Sequence, residues 1–267
     1  MSKEKNGAEL TLIIAMIAHE FRLPIETISK SAELVNRANA TNTLEKDKLF
    51  EIMDGVINSC HRMNHLISQI MDIAKAENSS HKIVVQKYSV IAFMESLKEY
   101  ISLYEEKSNI KFDFIIKVKD PYMICDFRKF DKVLLNLISN AVKYSKSTNR
   151  KVTITVSDNP DYLTFSVKDN GIGIDYVYLD KIFEKFYRIE NFNTRQTEGC
   201  GLGLSIVKAF TELLGGEVTV KSKLGKGSEF IVKIPRTQNN QNPSMVLESP
   251  HIYSLYKTVV DEAFSDV

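Results

Sequence analysis

The first reactive pair in the chain is His19 and Glu20, in the run Ile17-Ala18-His19-Glu20-Phe21-Arg22-Leu23-Pro24. A neutral imidazole has one nitrogen with a free lone pair and one that carries a proton, so it can act as nucleophile or proton carrier. A carboxylate beside it can orient or accept that proton. Apolar Leu10, Ile14, Ile17, Phe21, Ile28 and Val35 alternate four and three apart, with Pro24 and Ser31 filling the other seam positions. Such a stripe belongs to a helix buried along one side. His19 lies two residues past Ile17, roughly 200° around the helix, and so faces away from that seam. Arg22 and Glu26 share or adjoin its outer face. Taken alone, the same residues also describe a solvated surface histidine.

Four later clusters bear on phosphate and base chemistry. Asp131 to Ser145 carries Asn136 and Asn140, four residues apart and therefore on one helix face, opposite Val133, Leu134, Leu137, Ile138 and Ala141. Magnesium on a nucleotide takes oxygen ligands and few protein groups, and a neutral carboxamide serves without repelling triphosphate. Lys143 can meet phosphate charge, and Tyr144 can pack on a base. The second cluster, Asp169-Asn170-Gly171-Ile172-Gly173-Ile174-Asp175, follows a strand pattern. A carboxylate there can accept from the exocyclic amine of adenine, and the glycines let backbone approach a ligand closely.

The third cluster, Ile182 to Arg188, is aromatic and charged and precedes the polar run Asn191 to Glu198. That run reads as a lid, with Arg188 reaching a phosphate on closure. The fourth, Gly199-Cys200-Gly201-Leu202-Gly203-Leu204-Ser205, runs into a helix whose first N–H groups and dipole favour phosphate. No Gly-Lys-Ser/Thr triplet follows and no parallel βαβ unit surrounds it, so neither common nucleotide-loop signature applies. Each cluster alone has a plainer reading, as an amphipathic helix, a glycine turn or a loop anchor.

Positioning these groups takes two kinds of architecture. The region 1–78 is helical: after the His19 helix comes a polar connection, Asn36 to Asp47, and then a second helix. Its expected seam is Leu49, Met53, Val56, Cys60, Met63, Ile67, Ile70 and Ala74. The two helices form a hairpin whose apolar faces, including Ile52, Ile57, Leu66 and Met71, exceed what one hairpin can cover. Two copies in a four-helix bundle would cover them, which predicts a homodimer. A polar linker at 79–82 leads into a region, 83–236, where the periodicity changes. Strands are expected at Ile110–Val118, Tyr122–Cys125, Lys151–Val156, Leu163–Val167, Glu217–Lys221 and Ser228–Ile234, the last two joined at Gly225-Lys226-Gly227. Helices are expected at Val90–Glu106, Phe127–Ser145 and Leu204–Leu214, the last stopped by Gly215-Gly216. Mixed strands and helices without strict alternation indicate an α/β sandwich of one sheet and one helix layer. The Gln/Asn-rich tail, 237–267, ends in an apolar stretch from Ile252 to Phe264 that suits a short helix.

Composition sets the boundaries. At 267 residues the chain suits one large or two ordinary domains. A net charge of +1 gives no electrostatic argument for nucleic acid or an acidic membrane. Three scattered cysteines lack metal spacing and cannot all pair internally, which fits a reducing, cytoplasmic setting. The apolar run Leu12 to Ala18 is too short to span a bilayer. His19 lies so near Met1 that a sensing region is expected upstream in a longer protein, membrane-bound or not, or elsewhere.

In their order, these segments resemble the sensor histidine kinases of two-component signalling, over about Leu10 to Pro235. His19 and its neighbours resemble the phosphoacceptor box, Asn136-Leu137-Ile138-Ser139-Asn140-Ala141 the asparagine box, and Asp169-Asn-Gly-Ile-Gly the first glycine box. Phe183-Glu-Lys-Phe-Tyr-Arg188 resembles the phenylalanine box and Gly199-Cys-Gly-Leu-Gly-Leu the second glycine box. The resemblance implies a dimerisation and phosphotransfer bundle followed by an ATP-binding (Bergerat) domain of the type shared with gyrase and the heat-shock chaperone ATPases. It implies ATP with Mg2+, Asp169 on adenine, Asn140 on the metal and Asn136 assisting there. Lys143, Lys185, Arg188 and the backbone of Gly199, Gly201, Leu202 and Gly203 would handle phosphates, with Gly171, Gly173 and Tyr144 at the base pocket. His19 would attack the γ-phosphoryl, Glu20 would take or orient the ring proton, and the group would pass to an aspartate on a separate response regulator. No receiver domain is expected within the tail.

The chain departs from the family at one informative position. Four residues after the histidine the family commonly has Thr or Asn, which positions water for dephosphorylating the regulator; here stands Leu23. Weak phosphatase activity is therefore expected. The rival functions are an ATPase of the gyrase or chaperone type, and a signalling scaffold with a vestigial nucleotide site. The phosphoacceptor and phenylalanine boxes speak against the first, and the intact Asn140, Asp169 and glycines against the second.

Overall fold

Two rows of apolar residues on each N-terminal helix determine how that region packs. A computed structural model of the protein describes residues 2–41, 45–77, 83–146, 148–189, 200–236 and 246–247. It divides into two compact units, Met1–Ile70 and Met71–Val267. In the first, α1 (Ser2–Ala40) and α2 (Lys46–Glu77, its end counted with the second unit) form an antiparallel hairpin. The expected connection from Asn36 is shorter than read: α1 continues to Ala40. An Arg37–Glu33 ion pair at 3.9 Å supports its last turn, and both the backbone N–H and the hydroxyl of Thr41 donate to the Arg37 carbonyl.

From Ile17 onward the α1 seam is as expected: Ile17, Phe21, Ile28, Ser31 and Val35 are half-buried and Pro24 is buried. Ile14 lies on that seam but is exposed. The α2 seam needs correction. Ile52, Ser59 and Leu66 are the shielded partners of Leu49, Val56, Met63 and Ile70, whereas Met53, Cys60, Ile67 and Ala74 are exposed. The apolar pattern contains two adjacent rows, and the inner one runs through a small polar residue. Ser59 fits there because its hydroxyl donates to the Gly55 carbonyl at 2.8 Å.

The second unit is built on a five-stranded mixed sheet. Its strands are β2 (Ile110–Lys117), β4 (Arg150–Asp158), β5 (Tyr162–Asp169), β6 (Glu217–Lys223) and β7 (Gly227–Pro235). The order is β2-β4-β5-β7-β6, with β2 parallel to β4 and every other pair antiparallel. A small second sheet joins β1 (Gln86–Ser89), β3 (Tyr122–Cys125) and β8 (Val246–Leu247). Helices α3 (Val90–Ser108), α4 (Phe127–Lys143) and α5 (Gly203–Leu213) pack on the larger sheet. Strand alternation puts Val152, Ile154, Val156, Leu163, Phe165 and Val167 inside, against Phe130, Leu134, Leu137 and Ile138 of α4. This is the expected sheet-and-helix sandwich. The expected helix from Ile252 to Phe264 lies outside the described residues.

Helix ends are fixed by local chemistry. Ser89 caps α3 by accepting from the Ala92 N–H at 3.2 Å. At the end of α5, Gly215 adopts φ +70°, and the Gly215 and Gly216 N–H groups close on the Glu212 and Thr211 carbonyls.

Arg236, where β7 ends, joins several loops. Its guanidinium pairs with Asp158 and lies 3.1 Å from Asp120, and it donates to the carbonyls of Asn159 and Tyr122. Burial raises the Asp158 carboxyl, but the Asp120 and Lys119 N–H groups and the Arg236 charge outweigh it, so its pKa falls below the ordinary value. A depressed carboxylate stabilises the fold at pH above its unfolded value of about 3.9 and loses that contribution as pH drops through its native one. The melting temperature of the parent protein should therefore fall below about pH 4, and Asp158→Asn should flatten that fall while lowering the neutral-pH value. Identical acid profiles by circular dichroism would refute the assignment.

Candidate functional site

On the hairpin, His19 is exposed on α1, as are Arg22, Leu23 and Glu26. Glu20 is half-buried, and its Oε2 accepts from the Arg62 guanidinium of α2 at 3.3 Å. The Thr27 hydroxyl, one turn after Leu23, donates back to the Leu23 carbonyl at 3.1 Å. Leu23 is 47% exposed, so an apolar side chain faces solvent one turn beyond the histidine. His65 shares a hydrogen bond with Gln69 at 2.7 Å, and His61 is exposed. Among the described residues no group of three His, Cys, Asp or Glu could hold a metal.

In the second unit, the expected base corner is drawn together by backbone contacts. Asp169 ends β5, buried, and its Oδ1 accepts from the N–H groups of Gly171 at 2.7 Å and Ser228 at 3.2 Å. Burial pushes this carboxyl above the ordinary range, and the two N–H donors oppose the rise. Gly171 is required by crowding: a Cβ there would sit 2.1 Å from the Tyr144 carbonyl oxygen. That carbonyl, just past the end of α4, also accepts from the Ile172 N–H at 3.1 Å. Gly173 has φ +68° and lies against the Lys223 carbonyl, where a Cβ would come within 2.1 Å. Tyr144, Asp169, Gly171 and Gly173 thus form one corner. Desolvation raises the Tyr144 phenol, and the Arg188 charge works against it.

The carboxamides form a second focus. Asn136 Nδ2 donates to the Lys132 carbonyl at 2.7 Å, which leaves Oδ1 directed outward from α4. A Cβ on Gly203 would stand 3.0 Å from that Oδ1 and 4.0 Å from Asn140 Nδ2. Both amides therefore face the first turn of α5. Leu202 precedes that turn and makes no side-chain cap hydrogen bond, and the first N–H groups of a helix are natural donors to an anion. Gly201, φ +73°, lies against Phe186, whose N–H donates to the Gly201 carbonyl at 3.0 Å. The phenylalanine segment is also fixed by Phe183, edge-on to Phe230 at 6.4 Å.

Not every expected residue joins these two foci. Lys143 is half-buried at the end of α4. Lys185 lines a cavity of about 420 Å³ along α5 with Phe183, Ser205, Lys208 and Glu212, and none of the Asp169 corner residues lines it. Gly199 and the expected lid, Asn191 to Glu198, lie outside the described residues. Two partners escaped the sequence reading, Ser228 for Asp169 and Arg62 for Glu20. Only the Gly227-Ser228 pair carried a local signal, a glycine at the strand start.

The chain matches two family models in tandem. Residues 9–79 match the His Kinase A (phospho-acceptor) domain. Residues 125–238 match the histidine kinase-, DNA gyrase B-, and HSP90-like ATPase. The sensor protein SrrB of Staphylococcus aureus is 31% identical over 227 residues, 84% of this chain and 38% of that protein. The chain thus spans well under half the length of the curated relatives it matches. Among solved structures, the Acinetobacter baumannii histidine kinase AdeS aligns with a TM-score of 0.63 at 21% identity, over 82% of this chain and 98% of that one. Histidine kinase ThkA, in complex with response regulator protein TrrA, aligns at 0.65 and 23%, over 89% and 65%. Full-length ShkA in complex with AMPPNP aligns at 0.61 and 23%, over 80% and 46%. At these identities the likeness is one of fold. No helix among the described residues is long and apolar enough to cross a membrane.

Proposed function

The chain belongs to the sensor histidine kinases of two-component signalling, and on that premise we propose that it transfers the γ-phosphoryl group of ATP to His19. The phosphoryl group then passes to an aspartate on a separate response regulator. The observation that carries this reading is the pairing of two features in one chain: an exposed imidazole on a helical hairpin, and a buried carboxylate in a glycine cradle beside two carboxamides and an uncapped helix. The functional division is 1–78 for dimerisation and phosphotransfer, 79–82 as linker, 83–236 for nucleotide binding and 237–267 as tail.

Asp169 Oδ1 is occupied by two N–H donors, which leaves Oδ2 for the adenine amine, while Tyr144 flanks the base. Asn136 offers an oxygen toward the α5 start and Asn140 lies beside it, a neutral donor set that fits a magnesium ion shared with phosphates. Bound there, Mg2+ would neutralise charge developing on the phosphates. The N–H groups at Gly201, Leu202 and Gly203, with Lys143 and Arg188, would hold those oxygens. His19 supplies the lone pair, and Glu20 takes the proton from the other ring nitrogen. The exposed row of Phe50, Met53, Ile57 and Ile67 on α2 supports dimerisation through the hairpin, because a second hairpin would bury it. A cytoplasmic site of action and a receiver-domain partner follow from the same reading; the ThkA–TrrA complex is a structural parallel in kind.

Incubation with γ-labelled ATP and magnesium tests the proposal. Acid-labile label should appear on the protein and be lost in Asn140→Ala. Sustained hydrolysis with no labelled protein would instead indicate an ATPase of the gyrase or chaperone type. The Leu23 side chain cannot hydrogen-bond water, and the Thr27 hydroxyl is already committed to the Leu23 carbonyl. Dephosphorylation of a phosphorylated regulator should therefore be slow, and Leu23→Asn should raise it by about tenfold, near 1.4 kcal/mol of barrier. Rapid dephosphorylation by the parent protein would overturn this.

A further inference from the structure

Glu20 is next to His19 in sequence, yet its carboxylate reaches across the hairpin to Arg62 of α2, with Oε2 at 3.3 Å from the guanidinium. Both side chains are shielded, at 12% exposure for Glu20 and 21% for Arg62, whereas the imidazole of His19 is in solvent. Consecutive residues on a helix point about 100° apart. A carboxylate held against α2 is therefore turned away from the ring on the outer face of α1. Pro24, one turn further on, lacks the N–H that would bond the Glu20 carbonyl. That makes this level of α1 a natural bending point.

We infer that Arg62 is a positioning residue for phosphorylation, holding the Glu20 carboxylate away from His19 until the ion pair gives way. The inference rests on the reading of His19 as phosphoacceptor. In the transfer step an N–P bond forms at the ring nitrogen bearing the lone pair. The bond from the γ-phosphorus to its bridging oxygen breaks, and that electron pair leaves with ADP. The proton on the second ring nitrogen then moves to Glu20. While Glu20 is engaged by Arg62, that acceptor is turned aside, and the ion pair is part of the barrier. A slight rotation or bend of α1 against α2 would exchange one partner for the other, so the pair also couples hairpin geometry to the reactivity of the histidine.

The opposite arrangement, in which Arg62 steadies Glu20 in its working position, predicts the opposite sign and is separable. In the full chain, Arg62→Gln should raise kcat for acid-labile labelling about fivefold, the order of 1 kcal/mol for a partly shielded ion pair. The KM for ATP should not move, since the nucleotide residues lie in the other unit. Arg62→Lys, which keeps a cation, should rise less than Arg62→Gln. In a Glu20→Gln background, where labelling is already slow, Arg62→Gln should have no further effect, because the two act through one contact. A fall or no change in kcat for folded Arg62→Gln would overturn the inference, as would an equal rise in the Glu20→Gln background. Should Arg62→Gln fold poorly, Arg62→Met, which replaces the charge with a packed apolar chain, is judged by the same signs. A parent protein that never acquires label would refute the kinase reading itself, not this refinement of it.

Discussion

His19→Gln will take up no acid-labile label from γ-labelled ATP, a loss of at least about a thousandfold, as expected when the nucleophile itself is removed. Glutamine approximates the size of histidine and is a good helix former. Position 19 is exposed on α1, so the fold should be insensitive to the exchange. Nucleotide affinity, read with a fluorescent ATP analogue, should equal that of the parent, since Asp169, Asn136 and Asn140 belong to the other unit. That combination of intact binding, intact folding and absent labelling distinguishes a phosphoacceptor from a residue that merely supports the hairpin. Label persisting in His19→Gln would mean that another side chain is the acceptor. Acid-stable label would exclude a phosphohistidine altogether.

The features legible in the sequence are those encoded within a few neighbouring residues. Asn136 and Asn140 share a face because they are four apart on α4. Asp169 and the glycines after it form their corner within one turn. The strands β4, β5, β6 and β7 follow from alternation alone. What escaped the sequence depends on distant parts of the chain. The second donor to Asp169 comes from Ser228, 59 residues away, and Arg62 reaches Glu20 across 42. Arg236, at the boundary drawn before the tail, bonds Asp158 across 78 residues. The parallel pairing of β2 with β4 is similarly non-local, and β1 is too short for its period to register. On α2 the error was one of phase. Phe50, Met53 and Ile57 are as apolar as Leu49, Ile52 and Val56, and only the packed hairpin decides which row is inside. Sequence could say that α2 carries more apolar surface than one partner needs, and that surplus is the argument for a second copy.

Asp169 offers a substitution that separates binding from folding. Asp169→Ala removes Oδ1, the acceptor for the Gly171 and Ser228 N–H groups. Each buried N–H left without a partner costs about 1–3 kcal/mol, so this variant should lose stability and nucleotide together. Asp169→Asn keeps an oxygen that can accept from both N–H groups, and the requirement to satisfy them fixes the orientation of the amide. Its NH2 then stands where Oδ2 stood. Two donors now meet, the asparagine NH2 and the exocyclic amine of adenine, where the parent has an ionised acceptor. A hydrogen bond to a charged group is worth about 1.5–3 kcal/mol, so ATP affinity should fall by about ten- to a hundredfold while the melting temperature stays close to the parent. Guanine carries a carbonyl oxygen at the same ring position and would accept from the new NH2. The preference for ATP over GTP should therefore collapse in Asp169→Asn by more than GTP binding weakens. Competition of GTP against a fluorescent ATP analogue, in both variants, reads this ratio directly. Unchanged ATP affinity with unchanged selectivity in a folded Asp169→Asn would show that the base is read elsewhere. A selectivity that reverses would identify Oδ2 of Asp169 as the atom that chooses adenine.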